Sequence, residues 1–243
     1  MDWLLSTPIA HRGLHRDGEG PPENSLGAFE AARDAGYPVE LDVRLLRDGA
    51  AAVFHDDNLL RLTGVDTPLE LEDSLSIQLR RLAGFGETIP LLGEALAVIG
   101  GKVGVLIEVK NFDAPGALEA VVLSEIERYR GPCAVQSFNP FSMGWFRAKA
   151  PDVVRGHLSG GFDGINLDES LRDTLRSLEL VDVSAPAFVG YDIRHLPFDP
   201  VAGLRRRGMP VIGWTVRSPA ELSAALEHCD NYIFKHIDPA RGA

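Results

Sequence analysis

The chain contains 243 residues, of which 24 are basic and 35 acidic, for a formal charge of −11. Nucleic-acid binding needs clustered Lys and Arg side chains, and the longest basic run is only Arg205-Arg206-Arg207, so this composition argues against a nucleic-acid partner. The longest apolar stretch, residues 91–109, is interrupted by charged residues, so no transmembrane segment is expected. Because residues 1–8 lack the basic region and the apolar run of a signal peptide, we expect a cytoplasmic protein.

Short runs rich in β-branched residues alternate with stretches of helical periodicity, which is typical of βα units around a parallel sheet. Eight such units match a (β/α)8 barrel, although the pattern alone also allows an open doubly wound sheet. We therefore predict the α/β class, as a (β/α)8 TIM barrel forming one domain over residues 1–243, with the site at the carboxyl ends of the strands. The predicted strands are 8–11, 39–43, 103–109, 133–137, 153–156, 180–183, 211–215 and 231–234, of which the sixth has the weakest pattern. The predicted helices are 25–35, for which Asn24 is the expected N-cap, 114–128, 168–177, 200–207 and 220–227.

The segment between the second strand and His55 does not fit this alternation, because it is too short for a crossover helix. Asp48-Gly49, between two apolar runs, predicts a hairpin with a two-residue type I′ turn. Continuing that ladder pairs Asp42 with His55, which places His55 beside the end of the second strand. No strand is evident over residues 58–90, so we predict a small, partly helical insertion there.

Three carboxylates lie on or at the end of predicted strands. In an extended strand, residues i and i+2 share a face, so Glu40 and Asp42 point the same way, as do Glu108 and Lys110. Carboxylates crowded into one mouth repel each other unless a cation lies between them, and with no thiolate nearby they suit Mg²⁺, Mn²⁺ or Ca²⁺. A Glu-x-Asp motif alone is also typical of a solvated strand edge. Here it interrupts an otherwise apolar strand, which favours the metal site.

Basic and titratable residues at the same mouth indicate a phosphoester ligand. The guanidinium of Arg12 and the ammonium of Lys110 suit phosphate oxygens, although each could instead form an ion pair with the carboxylates. Imidazole as a residue type titrates near neutral pH, so two histidines that flank a phosphorus atom, as we expect of His11 and His55, can serve as general base and general acid. Hydrolysis of a phosphodiester requires such an arrangement.

Several short motifs occur in a fixed order along the chain. They are Ile9-Ala10-His11-Arg12-Gly13, Pro22-Glu23-Asn24-Ser25, Glu40-Leu41-Asp42-Val43, Asp48-Gly49, His55-Asp56, Glu108-Val109-Lys110, Gln136-Ser137-Phe138 and Trp214-Thr215-Val216. This ordered set resembles the glycerophosphodiester phosphodiesterase family, over about residues 8–239. The sequence departs from the family pattern at Arg217 and at Phe234-Lys235.

This resemblance implies a TIM-barrel hydrolase of lipid and glycerol metabolism that cleaves glycerophosphodiesters to an alcohol and sn-glycerol 3-phosphate. It also implies a divalent cation, Mg²⁺, Ca²⁺ or Mn²⁺, and a small insertion that shapes the substrate entrance. The positions that match the family's functional residues are Glu40, Asp42 and Glu108 for the metal, His11 and His55 for acid–base catalysis, and Arg12 and Lys110 for the phosphate.

Phe138 and Trp214 are candidates for a pocket that holds the alcohol group of the substrate, with the hydrophobic core as the alternative for Phe138. A lysophospholipase D-like or cyclic-phosphate-forming phosphodiesterase would use the same scaffold, and a noncatalytic phosphoester-binding protein is the alternative from another class. The intact pair of His11 and His55 favours catalysis. The sequence does not predict the alcohol group, the choice of metal or the oligomeric state.

Overall fold

The computed structural model describes residues 1–16, 18–82 and 86–239. Its strands are β1 (Ile9–His11), β2 (Val39–Leu45), β3 (Ala51–Val53), β4 (Val105–Val109), β5 (Cys133–Ser137), β6 (Val154–Ser159), β7 (Phe188–Asp192), β8 (Val211–Val216) and β9 (Asn231–Phe234). Within these residues, all strands except β3 run parallel, and β1 pairs with both β2 and β9, which closes eight strands into a barrel. The predicted (β/α)8 TIM barrel is confirmed, and the open doubly wound sheet is excluded.

Helices lie between the strands along the chain, and one further helix precedes β1. They are α1 (Trp3–Ser6), α2 (Leu26–Asp34), α3 (Leu60–Thr63), α4 (Ser74–Ile77), α5 (Leu92–Ile99), α6 (Ala117–Arg128), α7 (Pro140–Lys149), α8 (Glu169–Arg176), α9 (Val181–Ser184), α10 (Asp199–Arg206) and α11 (Pro219–His228). The predicted helices correspond to α2, α6, α8, α10 and α11. The predicted N-cap of α2 is wrong, because the side chain of Ser25, not that of Asn24, accepts a hydrogen bond from the Ala28 amide.

Side chains that point into the barrel change from apolar to polar along the strands. Near the amino ends they form one buried cluster with a residue of α1, consisting of Leu4, Ile9, Leu106, Ala134, Phe188, Ile212 and Ile233. His11, Glu108 and Gln136 each follow a residue of this cluster by two positions on the same strand, so their side chains lie on the same face of the sheet. The apolar end supplies a packed core, and the polar end is the place for chemistry.

The sixth predicted strand, 180–183, is wrong. Val181 and Val183 favour a strand locally, but they lie in the single helical turn of α9. This turn is held by Ser184, whose hydroxyl donates to the Val181 carbonyl and contacts Nδ1 of the buried His157. The strand at this place in the barrel is β7, which is buried over its whole length.

β2 and β3 form the predicted hairpin in a register that differs by one residue. Val43 pairs with Val53, and the Phe54 amide donates to the Asp42 carbonyl, so the predicted pairing of Asp42 with His55 is wrong. The loop holds three residues, 47–49, of which only Gly49 is left-handed, with φ of 84°. This geometry is typical of a type I turn followed by a bulge, in place of the two-residue type I′ turn.

The predicted insertion lies between β3 and α5 and contains α3, a 3-10 turn at Leu69–Leu71 and α4. It packs on the hairpin through its own buried cluster of Leu46, Ala52, Phe54, Leu59, Leu69, Ile77, Leu82 and Ile89. Residues 83–85 of this prediction lie outside the described residues, and the assignment of the chain to one domain stays a prediction. Of the helices that the structure describes, none combines the length and apolar character that a bilayer crossing requires.

Candidate active site

Three carboxylates from neighbouring strands meet at the carboxyl end of the barrel. Glu40 and Asp42 lie on β2, and Glu108 on β4 is in register with Asp42. All three are buried, and one carboxylate oxygen from each lies within 4.8 Å of the others. The structure therefore brings together the three residues that the sequence predicts as metal ligands.

The charges around these carboxylates act on them unequally. Burial, together with the negative charges of Asp42 and Glu108, raises the pKa of Glu40 well above its ordinary value. Burial also acts to raise the pKa of Asp42, but the positive charges of Lys110 and Arg12 outweigh it and lower that pKa. The positive side chains of the protein thus balance the negative charge of Asp42 but balance that of Glu40 only poorly.

The donor set fits a hard divalent cation. Carboxylate oxygens are the ligands that Mg²⁺, Mn²⁺ and Ca²⁺ prefer. Oδ1 of Asp42 is buried and accepts no well-aligned hydrogen bond from the described residues, although Nζ of Lys110 lies 3.1 Å away. Burial and, after it, repulsion from Asp42 and Glu108 raise the pKa of Glu40, and positive charge between the carboxylates would relieve that repulsion.

Two basic side chains border the cluster. Nε of Arg12 lies 3.0 Å from Oδ2 of Asp42, and the Arg12 amide donates to Glu40 at 3.1 Å. Nζ of Lys110 lies 2.5 Å from Oε1 of Glu108 and 3.1 Å from Oδ1 of Asp42. The two residues predicted to hold phosphate therefore form ion pairs with the carboxylates, which is the alternative that the sequence left open.

His11 lies on β1 in register with Glu40. Its Nδ1 is buried, and no described residue offers it a hydrogen bond. Burial, and next the positive charge of Arg12, hold the pKa of His11 well below its ordinary value. The imidazole is therefore neutral near pH 7, with one ring nitrogen unprotonated.

His55 follows β3, and 36% of its side chain is accessible. Its Nδ1 lies 2.7 Å from Oδ1 of Asp56. Burial acts to raise the pKa of Asp56, but hydrogen bonds from His55 and Arg61 outweigh it and lower that pKa. An ionised carboxylate only accepts hydrogen bonds, so Nδ1 of His55 donates and Nε2 is left for proton transfer.

Sequence reasoning missed three residues that hold these groups in place. Glu23 accepts a hydrogen bond from Nη1 of Arg12 at 2.7 Å, and Asn24 donates to Oδ2 of Asp42 at 2.8 Å. Asp56 is the third, through its contact with His55. All three stand in motifs that the sequence shows, Pro22-Glu23-Asn24-Ser25 and His55-Asp56. Their partners could not be inferred from spacing, because Glu23 and Asn24 bind residues 11 and 18 positions away.

The two predicted pocket residues meet at the same end of the barrel. Phe138 and Trp214 are in edge-to-face contact, with ring centres 5.5 Å apart. Nε1 of Trp214 and Oε1 of Gln136 are buried without a hydrogen-bond partner in the described part of the chain. Both residues lie within 4 Å of the Cβ position that Gly190 lacks. A free donor and a free acceptor beside an aromatic pair suit the hydroxyl groups of a polyol.

The departures from the family pattern lie beside this site. Nζ of Lys235 is 3.9 Å from Oε2 of Glu23, so it adds a further cation there. Arg217 donates through Nη1 to the Thr215 carbonyl, and its amide donates to Glu221 at the start of α11. Arg217 therefore contributes to the junction between β8 and α11.

Comparison with known proteins agrees with this geometry. Residues 11–231 match the model of the glycerophosphoryl diester phosphodiesterase family. The chain is 34% identical to a glycerophosphodiester phosphodiesterase of Caldanaerobacter subterraneus subsp. tengcongensis, over 90% of this chain and 89% of that protein. A solved structure of a phosphodiesterase from Oleispira antarctica, in complex with the product sn-glycerol-3-phosphate, is similar to this chain with a TM-score of 0.77 and 25% sequence identity. The match covers 96% of this chain and 93% of the Oleispira chain. A structure from Agrobacterium tumefaciens shares the fold, with a TM-score of 0.78 and 20% sequence identity, and the match covers 94% of this chain and 93% of the Agrobacterium chain. The resemblance in the motifs is confirmed, and the chain belongs to the glycerophosphoryl diester phosphodiesterase family, whose members are phosphoric diester hydrolases.

Proposed function

We propose that this chain hydrolyses glycerophosphodiesters to an alcohol and sn-glycerol 3-phosphate, in a reaction that depends on a divalent cation. The observation that carries the proposal is the buried cluster of Glu40, Asp42 and Glu108, with His11 in register with Glu40 and His55 close enough for its charge to act on Asp42. A protein that only bound phosphoesters would have no need of two titratable imidazoles next to such a cluster.

Glu40, Asp42 and Glu108 would hold the cation, which when bound neutralises charge on the nonbridging phosphate oxygens as the transition state forms. Arg12 and Lys110 supply fixed positive charge at the same place. Both side chains pair with carboxylates that would hold the cation and can exchange these partners for phosphate oxygens, while Arg12 keeps its separate bond to Glu23.

The histidines divide the proton transfers. Asp56 orients His55 and leaves its Nε2 free, whereas burial keeps His11 neutral and able to accept a proton. One histidine takes the proton of the nucleophile, and the other protonates the departing alcohol. The nucleophile is either water or the free glycerol hydroxyl beside the phosphoester, and the second route passes through a cyclic phosphate that water then opens.

Gln136 and Trp214 are suited to bind the glycerol part of the substrate. A hydroxyl group both donates and accepts, and here Oε1 of Gln136 is an unused acceptor and Nε1 of Trp214 an unused donor. Binding of the glycerol hydroxyls would satisfy two polar atoms that are otherwise buried without partners.

The test is a coupled assay for sn-glycerol 3-phosphate released from glycerophosphocholine and glycerophosphoethanolamine, in EDTA and then with Mg²⁺, Mn²⁺ or Ca²⁺ added back. We expect turnover to be lost in EDTA, restored by at least one cation and abolished in Glu108→Gln. Glu72→Gln is the matched control, because Glu72 is also a buried carboxylate and pairs with Arg80 in the insertion. Turnover that ignores EDTA would contradict the metal dependence, and no product with any cation from folded protein would contradict the substrate.

The same assay tests the histidines. His11→Ala and His55→Ala should each lower kcat by about 10²–10⁴. His228→Ala, at the end of α11, should leave it unchanged. A wild-type kcat in either of the first two variants removes that histidine from the mechanism.

A lysophospholipase D-like activity is the second candidate, because the insertion that follows His55 exposes large apolar side chains. Leu71, Leu75 and Leu79 are 57%, 78% and 81% exposed, and such a surface suits an acyl chain. Choline release that is faster from lysophosphatidylcholine than from glycerophosphocholine would favour this candidate, and no release would exclude it. A cyclic phosphate detected by ³¹P NMR would identify attack by the glycerol hydroxyl.

A further inference from the structure

Arg61, on α3 of the insertion, binds two carboxylates beside the site. Its Nε donates to Oδ2 of Asp56 at 2.6 Å, and its Nη2 donates to Oδ1 of Asp56 at 3.1 Å. The same Nη2 donates to Oε1 of Glu23 at 2.6 Å. One guanidinium therefore joins the loop after β1 to the segment after β3, although Glu23 lies 38 residues earlier in the chain.

Each of these carboxylates also holds a group at the proposed reaction centre. Oδ1 of Asp56 accepts from Nδ1 of His55 at 2.7 Å. Oε1 of Glu23 accepts from Nη1 of Arg12, also at 2.7 Å. Arg61 is thus one carboxylate away from the imidazole of His55 and one carboxylate away from the guanidinium of Arg12.

The geometry of these contacts depends on the planar guanidinium. Arg61 binds Asp56 through two nitrogens and still directs a bond to Glu23, which the single ammonium of a lysine cannot reproduce in the same orientation. Glu23 is only 4% exposed, whereas the side chain of Arg61 is 47% exposed, so their contact involves a buried carboxylate but is reached by water from the Arg61 side. Such charge-assisted contacts are stronger than pairs on an open surface.

We propose that Arg61 is a positioning residue for hydrolysis, which orients His55 through Asp56 and Arg12 through Glu23. The inference rests on the proposed phosphodiesterase function, and it makes α3 of the insertion part of the catalytic apparatus. Because the two arms end on different groups, loss of Arg61 acts on proton transfer through one arm and on phosphate binding through the other.

The first test compares kcat and KM in Arg61→Met, Arg61→Lys and Arg80→Met. Loss of a residue that orients a catalytic group costs roughly 10–100-fold in activity, so Arg61→Met should lower kcat by that factor and raise KM. Arg61→Lys should recover only part of the loss. Arg80→Met is the matched control, because Arg80 also binds a buried carboxylate of the insertion, Glu72, through Nε and Nη2. We expect it to keep wild-type kcat and KM.

Double substitutions separate the two arms. In an Asp56→Asn background, adding Arg61→Met should change KM alone, because the route to His55 is already broken. In a Glu23→Gln background, it should change kcat alone. A merely structural role would instead lower the active fraction, so kcat would fall by the same factor in every background with KM unchanged, and that result would overturn the proposal.

A second measurement does not depend on turnover. In the full chain labelled with ¹⁵N-histidine, the Nδ1 proton of His55, assigned by its absence in His55→Gln, should be observed in the wild type and in Arg80→Met. It should be broadened by exchange in Arg61→Met, because Asp56 is then no longer held. If the wild type hydrolyses neither glycerophosphocholine nor glycerophosphoethanolamine, the proposed function fails. The Nδ1 resonance of His55 then still shows whether Arg61 holds Asp56 and His55 in place. If the wild type is active and Arg61→Met matches it in kcat, KM and the resonance, the positioning role alone fails.

Discussion

At the scale of single residues, Glu23 is surrounded by cations although it is buried. Arg12 and Arg61 both donate to its Oε1, and Nζ of Lys235 lies 3.9 Å from its Oε2. Burial acts to raise the pKa of Glu23, but hydrogen bonds and positive charge from Arg61 and Arg12 outweigh it and lower the pKa to about 2. Folding therefore favours the ionised form of this carboxyl, and the resulting stabilisation depends on pH.

This lowered pKa predicts the pH range over which Glu23 stabilises the fold. A carboxyl with a lowered pKa in the folded state stabilises fully above its ordinary value of 4.5 and progressively less as the pH falls towards 2. We expect the wild type to exceed Glu23→Gln in free energy of unfolding by about 3 kcal/mol at pH 7, and by less at each step below pH 4.5. Urea denaturation from pH 7 to pH 3 measures the difference, with Glu30→Gln, at an exposed position of α2, as the control. A difference that stays constant with pH would contradict this origin.

The position of the predicted site residues at the barrel mouth is predictable, because strand alternation and motif order place them there. Their supporting contacts are not predictable, because barrel closure and the insertion bring distant segments together. Asn24 illustrates the difference: Asn is a good N-cap, yet its side chain binds Asp42, 18 residues away, and Ser25 caps α2 instead. The link from Glu23 to Arg61 likewise exists only in the folded chain.

At the scale of elements, most barrel strands are predictable because buried parallel strands are short apolar runs. β7 is an exception, since two of its positions, Gly190 and Asp192, weaken the apolar pattern. Gly190 is needed where it stands, because a Cβ there would lie 2.4 Å from Cδ2 of Leu158. The hairpin register is missed for a related reason: Asp48-Gly49 is compatible with loops of two or three residues, and packing of the hairpin on the insertion selects the longer one.

Glycines in two elements predict opposite effects of the same substitution. A Cβ at Gly156 on β6 would lie 2.2 Å from the ring of Phe188, so Gly156→Ala overpacks the interior and should lower the free energy of unfolding by about 1–3 kcal/mol. The nearest atom to a Cβ at Gly203 in α10, Nη1 of Arg207, is 3.6 Å away. Gly203→Ala should therefore raise the free energy of unfolding by about 0.5–1 kcal/mol through helix propensity. Urea denaturation measures both values, and a change of the same sign in the two variants would contradict the packing argument.

At the scale of the whole molecule, the barrel separates stability from chemistry along its axis. The apolar cluster at the amino ends packs the interior, whereas the carboxylates at the other end repel one another in a chain that already carries a charge of −11. Arg12 and Lys110 offset part of this repulsion. A cation bound to the cluster would offset more of it, and only the folded chain brings residues of β2 and β4 together to bind one.

Cation binding should therefore be measurable as global stability. At about 100 times its Kd, a bound cation raises the free energy of unfolding by about 2.7 kcal/mol, which for a chain of this length corresponds to an increase in Tm of roughly 5–10 °C. Thermal unfolding in EDTA and with Mg²⁺, Mn²⁺ or Ca²⁺ at equal ionic strength measures the shift. Asp42→Asn should lose it and Glu72→Gln should keep it, because Glu72 lies in the insertion, outside the cluster. A shift of equal size in Asp42→Asn would mean that cations act on the overall negative charge, which salt screens beyond about 8 Å, and would contradict a site at the cluster.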